Sequence, residues 1–390
     1  MLSPALALEH LPAQGVLLVV PDAVGTCPLA PDATVGGLGV LTRLVLAASR
    51  AGFTQLLVHD LVAGGEGPPP ASGTSAERAV ARRRVVLVPC NIVPRRDWLR
   101  ALLERPVELE TLYVDDALVT LVETEQPERV LEVALGAESA DAVVAGLRAV
   151  FPAPLRALDP DGRFPLRAAG DVARAEAWLL QSLIKDDEGF MSRHFERRLS
   201  LAVTRRLMGT RVTPNMMTLV SLGIGLAGAA CFLWTDPVYQ LAGALLFLAH
   251  SILDGCDGEL ARLKFMESPQ GAVLDFWGDN VVHVAVFACM AAGWSLEQGA
   301  LWPVALGLLA IAGTLGTASV LSGRFLAPTG PPREGGFWAR VVDGLAHRDF
   351  IYLIVALAAF GKASWFLVLS GIGTPLFLLL VLWTRRPHRV

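Results

Sequence analysis

Apolar residues are unevenly distributed along this chain. In the first half they form short runs broken by charge, glycine and proline, and in the second half they form long runs with few charges. Val16–Val20 is an apolar run that ends at Pro21 and predicts a buried strand. Leu56–Val58 predicts a second strand and Val85–Val88 a third, while Leu41–Ala51 carries apolar residues at helical spacing. Strands that alternate with helices predict an α/β sandwich with a parallel sheet over residues 1–185. Beyond residue 211 the apolar stretches predict six helices, near 214–234, 238–262, 271–294, 299–324, 349–363 and 365–384. Each approaches the ~20 residues needed to cross a bilayer, except the fifth, which is short and broken by Gly361 and Lys362. The predicted fold is therefore multidomain: a soluble α/β domain over 1–185 and an all-α membrane domain over 212–390.

The stretch between them, 186–211, reads as an amphipathic helix. Phe195, Leu199, Ala202 and Val203 make an apolar stripe flanked by arginines. Such a helix lies in the membrane interface with its cations near anionic headgroups; a solvated linker is the alternative. Thr213 suits the cap of the first membrane helix and Pro214 its first turn.

Loop charge sets the orientation. No Lys or Arg occurs at 234–240 or 295–299, whereas Arg262, Lys264, Arg324, Arg333, Arg340 and Arg348 fall on the opposite loops and Arg385, Arg386 and Arg389 in the tail. By the positive-inside rule both termini lie in the cytosol, as expected for a protein of the cell's inner or plasma membrane. No basic segment followed by an apolar core marks a cleavable leader, so the first membrane helix is expected to act as its own insertion signal. A net charge of −4 argues against a nucleic-acid partner. The 5 cysteines show no metal-binding spacing and read as free thiols.

Four acids stand out because they lie at the edge of apolar segments. A carboxylate at mid-bilayer depth disfavours insertion by roughly 2.5–3.5 kcal/mol on the translocon scale. Asp254, Asp257, Gly258 and Ala261 share one helix face, and Gly271, Asp275 and Asp279 share another. Two such faces meeting would enclose carboxylates beside small residues, which leaves room for a bulky ligand. Hard divalent cations favour oxygen ligands, and Arg262 offers a fork suited to a phosphate. Together these residues suggest a metal-bridged pyrophosphate.

The run D-x2-D-G-x2-A-R-x8-G-x3-D-x3-D, formed here by Asp254, Asp257, Gly258, Ala261, Arg262, Gly271, Asp275 and Asp279, resembles the signature of the CDP-alcohol phosphatidyltransferases. The resemblance implies a six-helix membrane enzyme that takes a CDP-linked donor, passes its phosphoryl-alcohol part to an acceptor alcohol and releases CMP. It implies two Mg2+ or Mn2+ ions held by Asp254, Asp257 and Asp275, with Asp279 as the base and a further metal contact. Asn215, in a Thr-Pro-Asn that is similar to a family feature, joins Gly258, Ala261, Arg262 and Gly271 around the donor. Arg324 and Arg348, on the predicted cytosolic side, suit an acceptor phosphate such as a polyol phosphate; ordinary positive-inside residues are the equal alternative. Membrane lipid is an expected partner, and a homodimer is left open.

The N-terminal domain resembles sugar-phosphate nucleotidyltransferases through Val35-Gly36-Gly37 and Ala51-Gly52-Phe53. The combined architecture is similar to fusions of an inositol-phosphate cytidylyltransferase with a transferase that makes di-inositol phosphate precursors. Three parts of that family's chemistry are missing. Pro21–Leu29 has one glycine and no cation where a glycine-rich loop with an arginine is expected, Ala30–Thr34 lacks the lysine, and Cys90-Asn91 stands where a metal-binding aspartate is expected. Without them triphosphate chemistry has little to stabilise its charge, and the domain reads as degenerate and inactive. Gly64–Ser75 reads as a loop. A divalent-cation transporter and a catalytically inactive membrane scaffold are the alternatives to a transferase.

Overall fold

The computed structural model describes residues 14–22, 33–63, 82–184, 195–326 and 350–384. The expected loops Pro21–Leu29 (from Ala23 on), Ala30–Thr34 (up to Asp32) and Gly64–Ser75, together with Arg348 and Cys27, lie outside the described residues. The chain divides into two compact units, Met1–Gln181 and Ser182–Val390.

The first unit is built on a six-stranded sheet of β1 (Gln14–Val20), β2 (Gln55–Val58), β3 (Arg83–Pro89), β4 (Tyr113–Val114), β5 (Thr120–Thr124) and β6 (Arg156–Ala157), in the order β2-β1-β3-β5-β4-β6. β1 runs parallel to β2 and β3, as the alternating strand and helix pattern requires. The expected parallel sheet is mixed: β5 pairs antiparallel with β3 and β4. The cause is local. The link from Val114 to Thr120 is too short for a crossover helix, and Asp115 closes it by accepting from the amides of Ala117 at 2.8 Å and Val119 at 2.9 Å. β1 and β3 are central and buried, and Val16, Leu18, Val85, Leu87 and Val122 pack against Val130, Val143 and Leu147 of the covering helices.

The Gly36-Gly37 turn of this unit has φ of 58° and 78°, the left-handed pair of a two-residue hairpin. Arg43, buried beneath it, donates to the carbonyl oxygens of Val35 at 3.0 Å and Gly36 at 3.3 Å. Burial lowers the Arg43 pKa to about 10, against the opposing pull of Glu176, whose carboxylate accepts from the Gly36 amide.

The second unit is helical: α1 (Arg197–Leu207), α2 (Pro214–Cys231), α3 (Pro237–Lys264), α4 (Pro269–Gln298), α5 (Trp302–Leu326), α6 (Phe350–Ala359) and α7 (Ser364–Thr384). Among the described residues, α2, α3, α4, α5 and α7 are long and apolar enough to cross a membrane. The expected fifth span, near 349–363, is present among the described residues as the ten-residue α6, which ends before Gly361, held at φ 65°. Thr213 caps α2 by accepting from the Met216 amide, with Pro214 in the first turn. Phe232, Phe247, Phe287, Met290, Ile354 and Phe366 form the core of this unit. Gly228 and Gly243 let α2 and α3 approach closely: a Cβ on Gly243 would stand 2.8 Å from the Gly228 carbonyl oxygen.

α1 is shorter than the expected 186–211 helix within the described residues, and its buried face is polar. Ser200 and Thr204 are buried, whereas Phe195 and Leu199 of the apolar stripe are exposed. Tyr352 of α6 donates to Glu196 at 3.0 Å, just before α1.

Candidate active site

α3 and α4 form a helical hairpin, and its turn determines what meets across it. Phe265 adopts a left-handed conformation at φ 55° and ends α3. Ser268 then caps α4 by accepting from the Gly271 amide at 3.0 Å, with Pro269 in the first turn. The ammonium of Lys264 donates to the carbonyl oxygens of Thr210 at 2.8 Å and Val212 at 3.1 Å, so the segment entering α2 is tied to the same turn.

This turn brings the two motif faces together. Carboxylate oxygens of Asp254, Asp257 and Asp275 all lie within 4.8 Å of one another. Asp254 and Asp257 are buried, and Asp275 is partly so. Carboxylates this close repel unless positive charge is shared among them. Asp275 Oδ1 is buried and accepts no hydrogen bond from the described residues. Hard oxygen donors, close enough to share ions and with an atom still able to coordinate, fit divalent cations such as Mg2+ or Mn2+. The hydroxyl of Thr218 on α2 donates to Asp257 Oδ2 and fixes that carboxylate.

Beside the trio is a cavity of about 270 Å3. Its walls include Asn215 and Thr218 from α2, Asp257, Gly258, Ala261 and Arg262 from α3, and Gly271 and Asp275 from α4. The expected donor-contact residues are thus all at one cavity. Side chains at the glycines would crowd the site: a Cβ on Gly271 would stand 3.2 Å from Asn215 Oδ1, and one on Gly258 would stand 3.2 Å from Arg262 Nη1.

Asp279 is placed differently from the other three acids. It is not part of the trio and does not line the cavity. Its Oδ1 lies 3.5 Å from His250 Nε2. Arg324 is in the last turn of α5.

Sequence reasoning passed over several residues that hold the site. Glu259, inside the motif, is fully buried and accepts from Ser200 Oγ at 2.6 Å, Thr204 Oγ1 at 2.6 Å and Arg197 Nη1 at 2.9 Å. It fastens α1 to α3 next to the metal-type trio. Thr218 and His250 were also missed. The signal was present: Glu259 and His250 are polar groups within a predicted membrane helix, where such groups are costly.

In the first unit, the side-chain amide of Asn91 donates to the Leu166 carbonyl oxygen at 3.1 Å, so the residue in the expected metal position makes a structural bond.

Residues 211–331 match the CDP-alcohol phosphatidyltransferase family. The chain therefore carries a CDP-alcohol phosphatidyltransferase domain, and it is an integral membrane protein. Among curated proteins it is similar to the bifunctional IPC transferase and DIPP synthase of Thermococcus kodakarensis, with 38% identity over 122 residues, 31% of this chain and 27% of that protein. The protein of the same name from Rubrobacter xylanophilus is 36% identical over 148 residues, 37% of this chain and 33% of that protein. The phosphatidylinositol phosphate synthase of Mycobacterium tuberculosis is 28% identical over 202 residues, 50% of this chain and 90% of that protein. The matches to the bifunctional proteins span only 24% to 33% of their length.

Proposed function

We propose that this protein transfers a phosphoryl-alcohol group from a CDP-linked donor to an acceptor hydroxyl and releases CMP. The observation that carries this reading is the convergence of Asp254, Asp257 and Asp275 beside a cavity that Asp257 and Asp275 line together with Asn215, Gly258, Arg262 and Gly271.

In this reading Asp254, Asp257 and Asp275 hold two Mg2+ or Mn2+ ions. When bound, the ions neutralise the donor pyrophosphate and stabilise charge on the departing CMP. Asn215, Gly258, Ala261 and Gly271 admit the nucleotide, and Arg262 binds a donor phosphate. Asp279 accepts the proton of the attacking hydroxyl. One phosphorus–oxygen bond forms to the acceptor, and the one to CMP breaks. Thr218 keeps Asp257 oriented. Arg324 and Arg348 bind the acceptor's phosphate.

A polyol phosphate is the proposed acceptor, supported by the similarity to a phosphatidylinositol phosphate synthase. The site is proposed to face the cytosol, where nucleotides and Mg2+ are found, and residues 195–207 to lie along that leaflet. The N-terminal domain is proposed to be a nucleotidyltransferase-like module without activity. The test is CMP release from purified protein given Mg2+, a panel of CDP-alcohols and a panel of acceptors. Release with none of them overturns the reading. Ion flux into vesicles instead would favour a transporter, and the absence of both a scaffold.

A further inference from the structure

His250 is an ionisable side chain deep within α3, one turn before Asp254, and only 3% exposed. Such a residue inside a membrane helix is disfavoured unless it has a partner and a task. Three helices build its surroundings. The ring lies against Phe247, with centroids 6.1 Å apart and planes 20° from parallel. Gly225 of α2 makes space for it, since a Cβ there would stand 3.0 Å from His250 Cγ. Nδ1 is 3.0 Å from the Ser221 carbonyl oxygen. A carbonyl only accepts, so Nδ1 is the donor in that bond and the ring's rotation is fixed. The edge left for α4 is Nε2, which stands 3.5 Å from Asp279 Oδ1, so the ring lies between two acceptors and holds both only with an N–H on each nitrogen.

We propose that His250 is a positioning residue for Asp279. Ser221 fixes the imidazole, and the imidazole fixes the carboxylate beside the acceptor hydroxyl. This assignment rests on the transferase reading above, in which Asp279 is the base. It explains why Asp279 stands apart from the metal-type trio although it continues the same helix face.

The test compares His250→Gln, His250→Asn and His250→Leu in the full-length protein, reading kcat, KM for the donor and Mg2+-dependent CMP binding. The amide nitrogen of Gln stands near the place of Nε2 and reaches Asp279, whereas that of Asn stands near Nδ1 and reaches only the Ser221 carbonyl. His250→Leu and His250→Asn are expected to lower kcat by about 100-fold, the scale of an ångström-sized misplacement of a reacting group. KM and CMP binding are expected to stay within about twofold of the unaltered protein, since uniform binding is untouched. His250→Gln is expected to recover most of the rate. Equal rates for Gln and Asn, or loss of CMP binding in step with kcat, would mean a packing role and overturn the assignment. If His250→Leu does not fold, the Gln and Asn pair decides alone. No CMP release by the unaltered protein with any donor overturns the transferase reading itself, before any variant is compared.

Discussion

Thr204 donates its hydroxyl to Glu259 Oε2 at 2.6 Å, which ties the short helix preceding the membrane spans to the turn of α3 that carries Asp257 and Gly258. The same carboxylate accepts from Ser200 and Arg197, so three donors from α1 converge on one fully buried acceptor. A carboxylate in this setting is tolerated only while its partners stay in place. Thr204→Val is therefore expected to lower stability by about 1–3 kcal/mol, the cost of a lost donor to a buried group. Glu259→Ala removes the acceptor shared by all three donors and is expected to cost about 3–5 kcal/mol. Thermal midpoints in detergent check both; unchanged midpoints would mean that the clamp does not hold α1.

The acidic trio predicts a metal requirement with a clear pattern of loss. Asp254→Asn and Asp275→Asn are expected to abolish CMP release yet leave the protein folded, because removing buried like charges relieves repulsion. Chelation with EDTA is expected to stop turnover, and Mg2+ or Mn2+ to restore it. Near-normal turnover in either variant would remove these carboxylates from the metal site.

Asp279→Asn is expected to behave differently. If Asp279 takes the acceptor's proton, its amide should bind CMP with Mg2+ nearly as the carboxylate does while kcat falls by about 10²–10⁴-fold, the usual worth of general base catalysis. Loss of CMP binding in parallel would make Asp279 a donor or metal contact instead.

The motif residues were legible in the sequence because helical periodicity converts fixed gaps into shared faces. Asp254, Asp257, Gly258 and Ala261 needed only 3.6 residues per turn to be placed, and the Ser268-Pro269 start of α4 fixed the facing row. What stayed hidden was pairing between distant segments. Nothing near Glu259 announces Ser200 and Thr204, whose hydroxyls are 59 and 55 residues away along the chain. The polar face of α1 was overlooked because Phe195 and Leu199 gave a readable stripe, yet they are exposed. The antiparallel β5 was lost for a similar reason: a short strand after an aspartate turn carries no sign of its direction.

The first unit predicts an absence of chemistry. Asn91 is engaged with Leu166, and Arg43 is buried beneath the Gly36-Gly37 turn, so neither offers charge to a triphosphate. The full-length protein supplied with CTP and any polyol phosphate is expected to release no pyrophosphate. Pyrophosphate release would show that other residues replace the missing cations.

Orientation gives the last prediction. A short loop joins α2 to α3 and another joins α4 to α5, and neither 232–236 nor 299–301 contains Lys or Arg. Arg262 and Lys264 lie at the opposite end of α3, and Arg205 and Arg206 are in the last turn of α1. Only Lys362, between α6 and α7, falls on the side of the charge-poor loops. The positive-inside rule then sets α1 and the α3–α4 turn in the cytosol. Cysteines placed singly at Arg198 and Leu301, in a protein whose native cysteines are replaced, separate the two faces. Arg198 is exposed on α1, and Leu301 is 81% exposed just before α5. An impermeant thiol reagent added outside intact cells is expected to label Leu301→Cys at once and Arg198→Cys only after the membrane is opened. The reverse pattern would turn the trio and its cavity away from cytosolic nucleotide, and a CDP-linked donor could not reach them from the cytosol.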